Sequence, residues 1–135
     1  MGKPITQSVR FSISGKQLYD LYMDAKKHGA FTGGKVRISA TPGSTFSAFD
    51  GLLSGRMLYT EPGRLVVQRW RGTHWKDKDL DSILVLTFTD DADGGRIDLT
   101  HVNVPGHDHQ GVTNGWPKYY WGPLKKYLKA QMKKR

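Results

Sequence analysis

The sequence contains no cysteine, only one glutamate and no long apolar run. Without cysteine, the chain can form neither disulfides nor thiolate metal sites, and it has no cysteine nucleophile. The single glutamate, Glu61, lies in a predicted turn, so the paired carboxylates that many hydrolases use are scarce. No apolar run approaches the ~20 residues of a membrane helix, and the N-terminus lacks the apolar core of a secretory signal. We therefore expect a cytoplasmic protein that does not insert into a membrane.

The 135 residues carry a formal net charge of +9, and much of this excess lies at the C-terminus. Residues 125–135 hold six basic residues and no acidic one, so the rest of the chain is only modestly basic. The aromatic residues fall on predicted core positions rather than among these lysines, which argues against specific nucleic-acid binding. The length favours one domain over residues 1–135, with a basic tail at 129–135.

Apolar and polar residues alternate at residues 5–13, which predicts a half-buried strand followed by two short helices. A capping-box pattern begins at Ser14 and precedes a helix at 15–22. Asp24 can cap a second short helix, which Gly29 would end.

From residue 35 to residue 104 the pattern changes to strands separated by turns that contain glycine or proline. The predicted strands are 35–40, 44–49, 51–60, 64–71, 81–90 and 95–104. Their regular spacing and short connections predict an antiparallel meander. In the strand at 64–71, Val66, Gln68 and Trp70 share one face, so Arg69 and Arg71 are expected on the outer face.

The C-terminal region returns to a helical pattern. Thr113 or Asn114 can cap this helix, and Pro117 fits its first turn. Pro123 lies inside the apolar pattern and should kink or loosen the helix near Tyr119. The apolar stripe recurs every four residues at Trp116, Tyr120, Leu124 and Leu128.

This order of elements indicates an α+β fold in which a seven-stranded curved antiparallel sheet wraps around the long C-terminal helix. One face of the sheet must be shielded from water, and only the C-terminal helix is long enough to cover it. A curved sheet around one helix leaves a hollow, especially where the two short helices and the loop at 31–39 would roof it. The residues expected to line this ligand-binding hollow are Phe31, Phe46, Tyr59, Trp70, Leu99, His101, Trp116, Tyr120 and Leu124.

His101 is the one weak candidate for a catalytic residue. It shares strand parity with Ile97 and Leu99, so its ring should enter the hollow. There it could orient a ligand carbonyl or act as an acid or base. The simpler interpretation is a structural histidine bonded to a backbone carbonyl or a helix end.

Other polar clusters resemble metal sites only in part. His107 and His109 flank Asp108, but no third ligand is evident nearby, so we interpret them as solvated loop residues. His74 receives the same interpretation. The alternating aspartates at 77–81 lack the glycine and glutamate of a calcium loop. No metal and no cofactor is therefore expected.

Three segments resemble the SRPBCC superfamily, the Bet v 1-like and START-related proteins. They are "VVQRWRGTHW" at 66–75, "IDLTHVNVP" at 97–105 and "GWPKYYWGPLKKYL" at 115–128. Within the superfamily they are similar to the family of the C-terminal domain of Aha1, an activator of the Hsp90 ATPase. The resemblance covers roughly residues 5–130 and implies a helix-grip fold around a cavity. Relatives bind lipids, polyketides or aromatic compounds, and others catalyse cyclisation or dehydration or take part in Hsp90 regulation.

Three functions remain open at this point. The first is a domain that binds an apolar or aromatic small molecule, and it is favoured because no residue pattern requires catalysis. The second is a co-chaperone-like module that binds a chaperone or another protein through the outer sheet face or the basic helix end. The third is an enzyme of the cyclase or hydrolase type that uses His101. The chain could act as a monomer or a homodimer.

Overall fold

The structure, a computed structural model, describes residues 3–133, which form one antiparallel sheet and a set of helices. The strands are β1 (Ile5–Phe11), β2 (Thr45–Ala48), β3 (Leu53–Glu61), β4 (Leu65–Gly72), β5 (Ser82–Asp91) and β6 (Gly94–Val102). The helices are α1 (Gly15–Met23), α2 (Ala25–Thr32), α3 (His109–Gly115) and α4 (Gly122–Lys133). The sheet order is β1-β6-β5-β4-β3-β2, so the first strand closes beside the last and the rest form the predicted meander.

The predicted capping box is present at the start of α1. The side chain of Ser14 accepts a hydrogen bond from the Gln17 amide, and the Gln17 side chain accepts one from the Ser14 amide. The first amide of α1, at Gly15, donates to the Asp90 side chain at 3.0 Å and so ties the helix to the end of β5. The carboxylate of Asp24 caps α2 as expected.

Helix α2 does not end at Gly29, as the sequence predicted. It continues to Thr32 and ends at Gly33, which has a left-handed conformation with φ of 84°. A Cβ atom on Gly29 would lie 2.7 Å from the carbonyl oxygen of Gly34. Gly29 therefore lets the chain pass close to the helix instead of stopping it.

The sheet has six strands and not seven, because residues 35–40 do not form a strand. They pair with β2 through one isolated bridge between Arg37 and Ser47. The alternating burial that suggested a strand is real, and Val36 and Ile38 pack against the core. However, β2 offers only four residues before the chain turns at 49–51, so a longer ladder has no partner.

Strand β3 contains a bulge between Met57 and Tyr59. Met57 pairs with the buried Gln68, whereas Tyr59 pairs with Val67 on the other face of β4. The extra residue, Leu58, moves Tyr59 to the outer face of the sheet, where half of its surface is exposed. The expectation that Tyr59 faces the hollow therefore does not match its position.

One continuous helix spans residues 109–133 and packs against the concave face of the sheet. We call α3, the π-helical turn Trp116–Trp121 and α4 together the C-terminal helix. It begins at His109, earlier than the expected caps, so Thr113 lies inside it and bonds its hydroxyl to the His109 carbonyl. The π-helical turn sits where Pro123 was expected to loosen the helix, because proline removes an amide donor there.

The core lies between the sheet and the C-terminal helix, as predicted from parity. On β4 the side chains of Val66, Gln68 and Trp70 are buried, and Arg69 and Arg71 face outward. Arg71 bonds the Asp81 carboxylate on that outer surface at 2.7 Å. No helix within residues 3–133 has the length and apolar character needed to cross a bilayer.

Candidate functional site

A cleft of about 380 Å³ lies between the first half of the C-terminal helix and the β3–β4 end of the sheet. This volume is at the small end of the ~300–1,000 Å³ typical of small-molecule sites. Its wall combines one face of the helix with the turn at 49–51, the start of β3, one residue of β4 and the loop after β4. The lining residues are Phe49, Leu52, Leu53, Trp70, His74, Asp108, Gly111, Val112, Gly115, Trp116, Tyr119 and Tyr120.

Aromatic rings form most of the cleft wall. Trp116 lies 6.1 Å from Trp70 and 4.7 Å from Tyr120, measured between ring centroids. On the other side Phe49 meets Tyr119 and Tyr120 edge to face, at 6.0 and 5.6 Å. Phe49 adopts a positive φ of 51°, which is rare for a bulky residue and directs the turn that carries its ring. The cleft is therefore suited to a flat apolar ligand.

His101 lies behind this wall and is completely buried. Its Nδ1 atom accepts a hydrogen bond from the indole N–H of Trp116 at 3.2 Å, so Nε2 carries the proton and donates to Ser82 Oγ at 2.8 Å. Ser82 in turn donates to the carbonyl of Trp70 at 2.6 Å. Burial lowers the pKa of His101 to about 3. Both ring nitrogens are occupied, so His101 is a structural residue that fixes two tryptophans of the cleft.

A second buried histidine, which the sequence did not single out, fixes Tyr120. The Tyr120 hydroxyl donates to His28 Nε2 at 2.9 Å, and His28 Nδ1 donates to the Tyr22 carbonyl at 2.8 Å. Burial lowers the pKa of His28 to about 4, although the bond to Tyr22 opposes this effect. The pKa of Tyr120 is raised by burial. Tyr120 therefore offers only its ring to the cleft, because its hydroxyl is engaged at the far side.

The cleft has one polar end, formed by His74 and Asp108. The Asp108 Oδ2 atom accepts hydrogen bonds from His74 Nε2 at 2.9 Å and from the indole N–H of Trp75 at 2.8 Å. Glycine makes this packing possible: a Cβ atom on Gly72 would lie 2.7 Å from the His74 ring, and one on Gly111 would lie 2.6 Å from Asp108 Oδ1. These contacts join the loop after β4 to the start of the C-terminal helix.

A second histidine–aspartate contact holds the same loop. His107 Nε2 bonds Asp79 Oδ2 at 2.7 Å, and His109 bonds the Lys3 carbonyl. The loop histidines His74 and His107 are exposed, as the sequence suggested, and the structure adds that their rings bond to other segments. No group of three or more metal-ligating side chains occurs among residues 3–133.

A family profile described as activator of Hsp90 ATPase homolog 1-like protein matches residues 12–129. The chain belongs to this family. The matched segment spans nearly the whole described fold, from the end of β1 to the last turns of α4. The predicted resemblance to the Aha1 family is therefore confirmed, and the fold is of the Bet v 1-like, helix-grip type.

Known relatives of this AHSA1-family chain include activators of a chaperone ATPase. It is 26% identical over 121 residues to the human activator of 90 kDa heat shock protein ATPase homolog 1, covering 90% of this chain and 36% of that protein. It thus spans about a third of that relative. Among solved structures, an HSP90 activator from Plasmodium falciparum gives a TM-score of 0.84 at 19% identity, covering 95% of this chain and 97% of that one. The solution structure of the Aha1 dimer from Colwellia psychrerythraea gives a TM-score of 0.78 at 14% identity. The match covers 94% of this chain and 96% of that one.

Three of the nine expected binding residues line the cleft of this AHSA1-family protein: Trp70, Trp116 and Tyr120. Tyr59 lies on the outer face, and His101 lies behind the wall. Four others fill the core instead of lining a space: Phe31, Phe46, Leu99 and Leu124. The region beneath the short helices, where the hollow was expected, is filled by Tyr22, His28 and Phe31. The His28 ring stacks on Phe31 and packs at a tilt against Tyr22.

Sequence reasoning missed the part of the cleft that comes from turns and loops. Phe49 and Leu52 were expected within the strands 44–49 and 51–60, but the chain turns there. Asp108 contacts His74, which is 34 residues away in the sequence. One available signal was the spacing of Gly111 and Gly115. These glycines are four residues apart on one helix face, beside the buried stripe of Val112, Trp116 and Tyr120, and their lack of a side chain leaves space there.

Proposed function

We propose that this protein binds an apolar, aromatic small molecule in the cleft beside the C-terminal helix. The observation that carries the proposal is a 380 Å³ cleft with an aromatic wall, whose positions are fixed from behind by hydrogen-bonded histidines. A rigid, preformed apolar concavity with one polar end is the usual form of a small-molecule site. Neither buried histidine is free to act as an acid or base, so the proposal requires no catalysis.

The test uses a variant that fills the cleft without disturbing the core. Gly115 lines the cleft, and a Cβ atom there would meet only the Tyr119 ring, at the ordinary distance of 3.6 Å. Gly115→Leu should therefore fold and obstruct the site. The matched control is Asn114→Leu, the same substitution at an exposed neighbour on the same helix.

Binding can be measured by the thermal shift of the purified protein with two-ring aromatic compounds such as naphthalene derivatives. We expect a shift for the parent chain and for Asn114→Leu, and none for Gly115→Leu. Native mass spectrometry of the purified parent chain should also reveal any co-purifying small molecule. Equal thermal shifts in all three proteins, or no thermal shift with any compound, would contradict the proposal.

A second candidate function is interaction with an Hsp90-type chaperone. It is supported by the similarity to the human activator and to the Plasmodium falciparum HSP90 activator. It is also supported by four exposed lysines on the outer side of the C-terminal helix, Lys118, Lys125, Lys126 and Lys129. Binding of purified Hsp90 to an immobilised chain tests it. Reversing Lys125, Lys126 and Lys129 to glutamate should weaken that binding, whereas Gly115→Leu should leave it unchanged. No binding by the parent chain would remove this candidate.

A further inference from the structure

The cleft has an electrostatic character opposite to that of the whole chain. The chain carries 21 basic and 12 acidic residues, yet no lysine or arginine is found among the described residues that line the cleft. The lining contains one carboxylate, Asp108, whose side chain is only 20% exposed. An anionic ligand would meet this carboxylate with no lysine or arginine in the wall to offset it.

Asp108 also has an unused acceptor. Both hydrogen bonds that the Asp108 carboxylate accepts, from His74 and Trp75, are made by Oδ2. No residue in the range 3–133 donates to Oδ1. The indole N–H of Trp70 is covered by neighbouring atoms and has no hydrogen-bond partner in the described part of the chain, so it is not exposed to a ligand. At its polar end the cleft therefore presents a carboxylate oxygen, Asp108 Oδ1, as a partly buried hydrogen-bond acceptor.

We propose that the cleft selects an aromatic ligand that carries a hydrogen-bond donor, an amine above all, and rejects carboxylates such as fatty acids. This inference rests on the proposed binding function and names its ligand class. The donor would bond Asp108 Oδ1 while the rings lie against Trp116 and Tyr119. A cationic amine gains further from the negative faces of these rings. A hydrogen bond to a charged acceptor contributes enough to favour the amine at least about tenfold.

The substitution Asp108→Asn tests this inference, because it should replace the acceptor that the cleft offers by a donor. His74 and Trp75 both need an acceptor at the Oδ2 position, so the amide oxygen must take that place. The amide nitrogen then occupies the Oδ1 position and presents a donor to the cleft. The variant keeps the shape of the side chain and both internal hydrogen bonds, so it should fold like the parent.

The probes are naphthylmethylamine, naphthylmethanol and naphthoate, which share their rings and differ in the polar group. Isothermal titration at neutral pH should rank the parent chain's affinity as amine, then alcohol, then carboxylate. Asp108→Asn should lower the amine affinity about tenfold and raise that of the carboxylate. The control is Asp20→Asn, which changes the net charge by the same amount but on the exposed face of α1. It should rank the three probes by affinity in the same order as the parent chain.

The outcomes separate this inference from the function on which it rests. If the three probes bind with equal affinity to parent and Asp108→Asn, the ligand-class inference is wrong while cleft binding stands. If the carboxylate binds tightest to the parent, the inference is also wrong. If none of the probes binds, both the inference and the proposed function fail.

Discussion

The indole nitrogen of Trp116 donates a hydrogen bond to Nδ1 of His101 across 3.2 Å, and both side chains are buried. This contact joins the C-terminal helix to the end of β6. It also fixes the tautomer of His101, whose other nitrogen bonds Ser82. The aromatic wall of the cleft therefore rests on a chain of hydrogen bonds that water does not reach.

Trp116→Phe should destabilise the protein because it leaves the Nδ1 acceptor of His101 buried without a partner. The matched control is Trp121→Phe. Trp121 also donates its indole N–H, at 2.6 Å, but to Gln7, which is only half-buried and can turn to water. Both variants lose the same ring area, so the free energy of unfolding in urea should fall about 1–2 kcal/mol further for Trp116→Phe. An equal loss in the two variants would contradict the account.

The stability of the protein should fall as the pH falls below about 6.5. His28 and His101 are neutral and buried, with pKa values lowered to about 4 and about 3. The unfolded chain has ordinary histidines with a pKa near ~6.5, so between these values it binds more protons than the folded chain. Each histidine therefore contributes stability that is complete above about pH 6.5 and is lost as the pH decreases.

The slope of this loss approaches about 1.4 kcal/mol per pH unit for each histidine. Urea unfolding at several pH values measures it, and NMR of the histidine ring protons identifies the groups. The ring signals of His28 and His101 should remain those of the neutral form at pH 5. A titration of either ring near pH 6.5 in the folded protein would show that its burial has been misjudged.

The parts of this fold that follow from periodicity could be predicted, and the parts that depend on distant contacts could not. The inward faces of β4 and β6 and the stripe of Trp116, Tyr120 and Leu124 follow from spacing alone. The outward turn of Tyr59 depends on a bulge, which the alternation of residues does not reveal. The polar end of the cleft needs His74 and Asp108 to meet, and only the folded chain brings them together.

Gly55→Ala should be strongly destabilising, because β3 and β4 pack closely beside the cleft. Gly55 pairs with Trp70, and a Cβ atom there would overlap the carbonyl oxygen of Arg69. Backbone atoms cannot move aside, so we expect a loss of about 3 kcal/mol or more, or failure to fold. Gly106→Ala is the control, since a Cβ atom there meets nothing within 4 Å. Its free energy of unfolding should stay within about 0.5 kcal/mol of the parent.

Asp79→Ala should loosen the loop after β4, which carries His74 into the cleft. The Asp79 carboxylate accepts from the Lys76 amide at 2.8 Å and bonds His107 at 2.7 Å. The contact with His107 is the main reason that the pKa of Asp79 lies below its usual value. Without this carboxylate the loop loses one of its internal bonds and one of its links to the segment before the C-terminal helix, the other links being those of His74 and Trp75 to Asp108.

Limited trypsin digestion measures this loosening, because Lys76 and Lys78 lie in the loop and a protease needs a locally opened chain. Cleavage after these lysines should be several times faster in Asp79→Ala than in the parent chain. Asp77→Ala removes the same charge from an exposed neighbour that has no hydrogen bond within residues 3–133, and should leave the rate unchanged. If the two variants are cleaved equally fast, charge and not anchoring controls the loop, and the His107–Asp79 bond does not hold His74 in place.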